Sequence, residues 1–152
     1  MIKTLLINPP FSLEERYGNQ LKSFGAITEP MGLAYLAGSL KKEGLNVEIL
    51  DAAALEYSLQ DVITHIKQNN FHLIGITFLT PMFDIIKDLT FKIKKSCDNI
   101  KIIVGGPHPS ALPERTLEEI PDIDFVCFGE GEKTLVELVK NLSYNKNTSE
   151  IK

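Results

Sequence analysis

Cysteine is scarce in this sequence, and neither one sign of charge nor a long hydrophobic run dominates it. The two cysteines, Cys97 and Cys127, are too few for a disulfide framework, so both are predicted to be reduced, partly buried thiols of a cytoplasmic protein. Lysine and arginine number 16 against 20 acidic residues, and the resulting charge of −4 without a basic run does not indicate nucleic acid or an anionic membrane as partner. No apolar stretch is long enough to span a membrane, and the apolar start is too short for a signal peptide.

Sequence motifs for phosphate binding and catalysis are also missing. No GxxxxGK(S/T) loop is present, no GxGxxG follows the first predicted strand, and no serine or cysteine occupies a nucleophile elbow. The CxxC and HxxxH spacings of metal sites are absent, so His65 and His72 are predicted to be surface histidines. Catalysis by this chain alone is therefore not expected, and these absences weaken the case for a nucleotide-binding protein.

Hydrophobic segments with strand and helix periodicity alternate along the 152 residues, which are enough for one domain with a sizeable core. Strands are predicted at 2–7, 47–50, 73–76, 101–104 and 125–128, and helices at 30–42, 58–69, 81–96, 109–119 and 134–142. This alternation predicts an α/β fold: a three-layer, doubly wound, five-stranded parallel sheet of flavodoxin-like or Rossmann-like type. The domain is expected to span 1–142, with 143–152 as a polar tail or the start of a linker.

Glycine and hydroxyl residues follow the predicted strands at their carboxyl ends, where open α/β sheets bind ligands. Gly105 and Gly106 end the fourth strand and would let a bulky group approach the main chain, although Gly-Gly-Pro is also compatible with a simple tight turn. Thr77 and Thr80 follow the third strand beside this pair. In the flavodoxin-like strand order, Asn8 and Thr77 flank the crevice. The residues therefore predict a cofactor cleft without indicating which cofactor it holds.

Three further features of the sequence are expected near the carboxyl ends of the strands. Asp51, at the end of the second strand, can bond a ligand hydroxyl, or it can satisfy amides of its own turn. Gly129, Glu130 and Gly131 turn into the last helix and would leave helix amides free to face a ligand. The segment 8–29 has no sustained period, and it is either a lid over an apolar ligand or an ordinary surface excursion.

Several motifs resemble the cobalamin (vitamin B12)-binding domain that precedes the catalytic domain of class B radical S-adenosylmethionine enzymes. The similar segments are INPP (7–10), EPMGLAYLAGSLKKEG (29–44), LIGITFLTP (73–81), IIVGGPHPS (102–110) and FGEGEKT (128–134). The resemblance covers nearly the whole chain and is specific in its order. Enzymes with such a domain include methyltransferases and enzymes like the anaerobic magnesium-protoporphyrin cyclase.

The resemblance implies that the nucleotide tail of cobalamin lies in a channel lined by Ser-x-Leu after the third strand and Gly-Gly after the fourth. Thr77-Phe78-Leu79 matches the first motif, with threonine in place of serine, and Gly105-Gly106 matches the second. The hydroxyl would bond the benzimidazole nitrogen, and the glycines would make room for the flat ring. The cofactor-binding residues expected from the sequence are Asn8, Pro9, Gly32, Asp51, Thr77, Phe78, Leu79, Thr80, Gly105, Gly106, Pro107, His108, Gly129, Glu130 and Gly131.

One departure concerns the ligand of cobalt. Methionine-synthase-like domains carry DxHxxG after the first strand, and its histidine replaces the benzimidazole on the metal. This sequence has Asn8-Pro9-Pro10 at that place, and only Gly32 matches the final glycine of the motif. Since the radical S-adenosylmethionine branch generally lacks this histidine, no protein ligand to cobalt is expected. His108 is expected to contact the tail or to have a structural role.

The CxxxCxxC motif that holds the 4Fe-4S cluster of these enzymes is absent. The cluster and S-adenosylmethionine are therefore expected only in a separate domain downstream of Lys152. The chain is expected to be the cobalamin-binding module of an enzyme that transfers methyl groups or performs oxidative cyclisation. Two alternatives stay open: a flavodoxin-like module for flavin or a nucleotide, and a receiver-like interaction domain without a cofactor.

Overall fold

The computed structural model describes residues 2–11, 29–97, 99–144, 146 and 148, and they form alternating strands and helices. The strands are β1 (Lys3–Asn8), β2 (Asn46–Asp51), β3 (Leu73–Thr77), β4 (Lys101–Gly105) and β5 (Phe125–Val126). The helices are α1 (Met31–Lys42), α2 (Leu59–Gln68), α3 (Phe83–Ser96), α4 (Pro107–Ala111), α5 (Pro113–Glu119) and α6 (Glu132–Ser143), with a 3-10 turn at Thr80–Met82.

The five strands form one parallel sheet in the order β2-β1-β3-β4-β5. This is the flavodoxin-like order, so the predicted fold is confirmed, and the winding direction reverses between β1 and β3. The register pairs Asn8 with Asp51 and Thr77 with Gly105 at the carboxyl ends of the strands. These four residues therefore share the edge at which a ligand site was expected.

Helices cover both faces of the sheet and give it three layers. Leu5 and Ile7 of β1 are buried in a cluster with residues of α2 and α3, whereas Leu6 lies in a second cluster with residues of α1 and α6. Successive strand side chains point to opposite faces, so one strand supplies both clusters. Burial on both faces also explains the continuous apolar sequence of 102–104 in β4.

The start of α2 has the predicted serine cap. The Ser58 hydroxyl accepts a hydrogen bond from the Asp61 amide at 3.2 Å, and the Asp61 carboxylate accepts one from the Ser58 amide at 2.9 Å. Amides at a helix start have no partner within the helix, and a cap of this kind contributes on the order of 1 kcal/mol.

The predicted helix 109–119 is instead two helices, α4 and α5. Pro113 has no amide hydrogen, and its ring disfavours helical geometry at Leu112, where φ is −138°. The helix expected from Pro81 likewise begins as a 3-10 turn, in which the Met82 amide bonds the Leu79 carbonyl at 2.9 Å.

The fifth strand is shorter than predicted, because pairing stops at Val126 and the predicted end was residue 128. The Cys127 amide still bonds the Val104 carbonyl at 2.8 Å, and the chain then turns away through Gly129, whose φ is +70°. The last helix starts at Glu132, two residues earlier than predicted.

Several predictions concern the ends, the loop after β1 and the thiols. Residues 12–28, and most of 143–152, lie outside the described part of the chain, so the lid and the polar tail stay predictions. Cys97 and Cys127 are both free and half-buried, as predicted. Among the helices that the structure describes, none is long and apolar enough to cross a membrane.

Candidate functional site

A cleft of about 370 Å³ opens at the carboxyl ends of β1, β3 and β4, where the strand winding reverses. Its volume lies within the range of small-molecule sites, about 300–1,000 Å³. Residues from the strand ends form the floor, and residues of α1 and α6 form a wall. The lining residues are Leu6, Asn8, Glu29, Pro30, Gly32, Leu33, Leu36, Gly75, Ile76, Thr77, Phe78, Leu79, Met82, Ile103, Val104, Gly105, Gly106, Pro107, Cys127, Gly129, Glu130, Gly131, Glu132 and Leu135.

Gly106 has a backbone conformation and a position that exclude a side chain. Its φ is +99°, which L-residues rarely adopt. A Cβ at this position would lie 2.6 Å from the Thr77 hydroxyl oxygen and about 3 Å from the Phe78 main chain (3.1 Å to its nitrogen). The absence of a side chain therefore keeps the Thr77 hydroxyl uncovered from the side of Gly106.

Gly105 differs from its neighbour, since a side chain there would meet only ordinary contacts. The nearest atoms to its added Cβ are the carbonyl oxygen of Cys127 at 3.6 Å and the Cβ of Cys127 at 3.8 Å. Its φ lies outside the left-handed region, so the turn itself does not need glycine at this place. A tight turn accounts for Gly106 but not for Gly105, and Gly105 lines the cleft without a side chain.

Thr77 supplies a hydroxyl to this floor. It is half-buried, and no group among the described residues forms a hydrogen bond with its Oγ1. The Phe78 amide next to it is already used, because it donates to the Gly105 carbonyl at 3.1 Å. The Thr77 hydroxyl is thus available to a ligand as donor or acceptor.

The charged side chains of the described cleft lining are all acidic. Glu29, Glu130 and Glu132 contribute carboxylates, and the described lining residues include no lysine, arginine or histidine. The wall formed by α1 and α6 has an apolar surface, which Leu33, Leu36 and Leu135 supply. The cleft therefore suits a ligand with a flat apolar part and hydrogen-bond donors better than a polyanion.

Cys127 is a lining residue that the sequence did not single out as part of a site. Burial raises the pKa of its thiol above the ordinary value, and the nearby Glu132 carboxylate raises it further. The sulfur lies 3.2 Å from the position of a Cβ added at Gly131, so it packs against that turn. Cys127 is therefore a neutral thiol in the cleft wall at neutral pH, not an activated nucleophile.

Most residues predicted for the site do line the cleft. The structure brings together Asn8, Gly32, Thr77, Phe78, Leu79, Gly105, Gly106, Pro107, Gly129, Glu130 and Gly131. The backbone amides of 129–131, before α6, were expected to be free for a ligand. One of them is not, since the Gly129 amide donates a hydrogen bond to the Ser110 hydroxyl at 3.2 Å.

Pro9, Asp51, Thr80 and His108 do not belong to the lining. Pro9 is buried. Asp51 accepts hydrogen bonds from the Asn8 side chain at 2.8 Å and from the Ala54 amide at 3.1 Å, so it satisfies an amide of its own turn. A direct ligand contact from these four residues stays a prediction.

His108 lies in the core behind the cleft floor, with 6% of its surface exposed. Its ring stacks on Phe78 with 5.1 Å between centroids and lies 5.4 Å from the ring of Phe83. Its Nδ1 is 3.0 Å from the Thr80 hydroxyl, and its Nε2 has no hydrogen-bond partner in the described structure. The positive φ of Gly106 reverses the chain and turns His108 back toward Phe78, which spacing along the sequence does not reveal.

The helix residues of the wall, Leu33, Leu36 and Leu135, were missed as site residues. They follow ordinary helical hydrophobic spacing, so their sequence gives no sign that part of their surface faces a cleft. Only the packing of α1 beside α6 over one sheet face shows it.

An open parallel sheet with a cleft at its winding reversal, floored by glycine and by a hydroxyl that no described residue bonds, defines a doubly wound ligand-binding domain. The family model of the B12 binding domain matches residues 21–139, and the chain belongs to this family.

Three relatives cover between 73% and 98% of this chain. An uncharacterized methyltransferase of Pyrococcus horikoshii is 37% identical over 145 residues, which are 94% of this chain and 30% of that protein. A cytidylyl-2-hydroxyethylphosphonate methyltransferase of Streptomyces wedmorensis is 28% identical over 98% of this chain and 30% of its own length. An anaerobic magnesium-protoporphyrin IX monomethyl ester cyclase of Cereibacter sphaeroides is 30% identical over 73% of this chain and 18% of its own length.

Solved structures show the same fold within larger proteins. The radical S-adenosylmethionine methyltransferase TsrM from Kitasatospora setae superposes with a TM-score of 0.82 at 22% identity, over 99% of this chain and 27% of that one. The cobalamin-dependent S-adenosylmethionine radical enzyme OxsB, with aqua-cobalamin and S-adenosylmethionine bound, superposes with a TM-score of 0.81 at 22% identity. The match covers 99% of this chain and 20% of that one. The chain thus spans about a third or less of these proteins.

Proposed function

We propose that the cleft binds cobalamin and that the chain is the cobalamin-binding module of a longer radical S-adenosylmethionine enzyme. The observation that carries this proposal is the arrangement of Gly106 and Thr77: the missing Cβ leaves open, at the cleft floor, a hydroxyl that no described residue bonds. Thr77 and Gly105 would hold the nucleotide tail between them. The Thr77 hydroxyl would donate a hydrogen bond to the free benzimidazole nitrogen, and the two glycines would leave space for the ring.

The residues at this site would give cobalt no nitrogen ligand. The residues after β1 are Asn8, Pro9 and Pro10, none of which is a ligand of this kind. His108 is buried behind the floor and interacts with Thr80 and two phenylalanine rings. The described residues also contain no group of three or more side chains suited to hold a metal ion.

The acidic rim disfavours the alternative of a flavin mononucleotide or another nucleotide. The terminal phosphate of such ligands carries about 1.5 to 2 negative charges and needs arginine, lysine or free helix amides. The described lining has carboxylates instead, and Glu132 occupies the first turn of α6. The tail of cobalamin carries one phosphodiester with a single negative charge, and the corrin amides can donate hydrogen bonds to these carboxylates, so cobalamin suits the acidic rim better than a phosphate dianion does.

The whole enzyme extends beyond this module. A domain with the 4Fe-4S cluster and S-adenosylmethionine would accompany it, and the names of the relatives support methyl transfer or oxidative cyclisation as the reaction class of the full protein. Bound cobalamin supplies a cobalt centre able to carry a methyl group. The two free thiols, Cys97 and Cys127, agree with a reducing cytoplasmic setting.

The test is retention of cofactor by the purified chain. After incubation with hydroxocobalamin and gel filtration, we expect the protein fraction to have a corrin spectrum at near one cofactor per chain. The same procedure with flavin mononucleotide should leave the protein colourless. A colourless protein after hydroxocobalamin, or a yellow one after the flavin, would contradict the proposal.

A further inference from the structure

The side-chain amide of Asn8 has a defined orientation at the cleft. Its Nδ2 donates a hydrogen bond to Asp51 Oδ1 at 2.8 Å, across the register pair that ends β1 and β2. The main chain of this residue is also held, since its carbonyl accepts a hydrogen bond from the Ala52 amide at 3.0 Å. Asn8 lines the cleft, whereas Asp51 does not.

Asp51 determines which atom of this amide a ligand meets. An ionised carboxylate only accepts hydrogen bonds, so a flipped Asn8 amide would place oxygen against oxygen. Asp51 is itself anchored by the Ala54 amide, which donates to the same Oδ1 at 3.1 Å. One of the two N–H groups of the Asn8 amide is therefore engaged, and Oδ1, which no described residue bonds, is the acceptor that this amide offers to a ligand.

The rest of the rim also offers acceptors. Glu29, Glu130 and Glu132 line the same cleft, and no cationic side chain does so among the described residues. A ligand group that donates hydrogen bonds is favoured at this rim, because a carboxylate there would be repelled by the like charge of the three glutamates.

We propose that Asn8, oriented by Asp51, accepts a hydrogen bond from a peripheral carboxamide of the corrin and discriminates against a carboxylate at that place. This inference rests on the proposed cobalamin function and adds a specificity to it. Asn8 is the contacting residue, and Asp51 is a positioning residue that acts through it. Cobalamin presents primary amides around its ring, and hydrolysis of one amide replaces two N–H donors with a negative charge.

The experiment compares binding of hydroxocobalamin with that of its separated monocarboxylate derivatives, each hydrolysed at a single side-chain amide. We expect the unmodified chain to bind at least one monocarboxylate about tenfold more weakly than hydroxocobalamin, because one acceptor then faces a charge instead of a donor. In Asp51→Asn, the new amide can donate to Asn8 and still accept from Ala54, so Asn8 can flip. The tenfold preference should then fall to about twofold or less.

Two further variants separate this role from a structural one. Asn8→Ala removes the acceptor and should also abolish the preference, which keeps the test valid if Asp51→Asn fails to fold. Thr77→Val lies at the tail and should weaken all the corrins alike while the preference persists. Equal binding of all derivatives by the unmodified chain, or an unchanged preference in Asn8→Ala, would overturn the inference while hydroxocobalamin binding stands. Loss of hydroxocobalamin binding by the unmodified chain would overturn the proposed function itself.

Discussion

The lack of a side chain at Gly106 matters both for the backbone turn after β4 and for the space beside Thr77. Its φ of +99° reverses the chain between β4 and α4, and the Ser110 amide closes that reversal on the Gly106 carbonyl at 3.0 Å. The same residue borders the Thr77 hydroxyl, where a Cβ would lie at 2.6 Å. A substitution here must therefore be compared with one that strains the backbone in the same way without filling the cleft.

Gly106→Val should weaken cobalamin binding by about tenfold or more, which corresponds to about 1.4 kcal/mol, because its side chain enters the space beside Thr77. Gly44→Val is the matched control: Gly44 also has a positive φ, of +69°, but no atom lies within 4 Å of an added Cβ. Both variants should lose stability on the order of 1–3 kcal/mol from the strained φ. Titration with hydroxocobalamin, beside urea unfolding, separates the two effects, and equal affinity in both variants would show that the glycine serves only the turn.

The sequence indicates single residues of the site where a residue type is itself the signal. A glycine pair at a strand end and a threonine beside it were predicted to line the cleft, and both do. His108 shows the limit, because its position depends on the direction of a backbone reversal that residue order does not contain. Cys127 gave no signal either, since an isolated cysteine in a strand resembles any small apolar residue.

At the scale of elements, the short strand β5 is held to β4 by a polar network around Asp124. Its carboxylate accepts hydrogen bonds from the Ile102 amide at 2.8 Å, from Lys94 at 2.6 Å and from Lys101 at 2.8 Å. The Asp124 amide in turn donates to the Ile102 carbonyl at 2.9 Å. This network ties α3, β4 and β5 together where β5 has only two paired residues.

The network makes the stability of the fold depend on pH. Burial alone would raise the pKa of Asp124, but hydrogen bonds from Lys101, Lys94 and the Ile102 amide lower it below the ordinary value. A carboxyl group with a lowered pKa in the folded state stabilises that state above its unfolded pKa, near 4, and this contribution is lost as pH falls through the folded value. Urea unfolding of the unmodified chain should show this decline below about pH 4.

Asp124→Asn should lower the free energy of unfolding at pH 7 by about 1–3 kcal/mol, because two lysines and an amide lose a charged acceptor. Its unfolding free energy should also fall less steeply in acid than that of the unmodified chain. Asp122→Asn, two residues away, is the control and should leave the acid decline in place. An acid decline in Asp124→Asn as steep as that of the unmodified chain would contradict this role.

The elements themselves were largely predictable because periodicity and caps are local. Ser58 caps α2 as expected, and the five strands occur in the predicted segments. The boundaries that differ are set by neighbours: pairing with β4 ends at Val126, and Pro113 divides the predicted helix 109–119. These boundaries depend on the neighbouring strand and on backbone geometry, and hydrophobic spacing along the sequence contains no information about either.

At the scale of the whole molecule, the strand order creates the site. Placing β1 beside β3 brings the ends of two strands that are about 70 residues apart in sequence to one crevice, as the register pair Ile7 and Ile76 shows. The alternation of strands and helices predicted the doubly wound parallel sheet, and the order β2-β1-β3-β4-β5 is the flavodoxin-like one of the two types that it allowed. The apolar wall was not predictable, because Leu36 and Leu135 come together only through the packing of α1 against α6.

The central claim is that cobalamin is held with its tail in the Thr77 and Gly105 cleft and with no nitrogen on the lower face of cobalt. Electron paramagnetic resonance of the chain loaded with cob(II)alamin tests it most directly, because an axial nitrogen splits each cobalt line into a triplet. Free cob(II)alamin at neutral pH, with its benzimidazole on the metal, is the reference for splitting. We predict unsplit lines for the bound cofactor. Triplets in the bound state would contradict the account, and triplets that vanish in His108→Ala would identify His108 as the ligand.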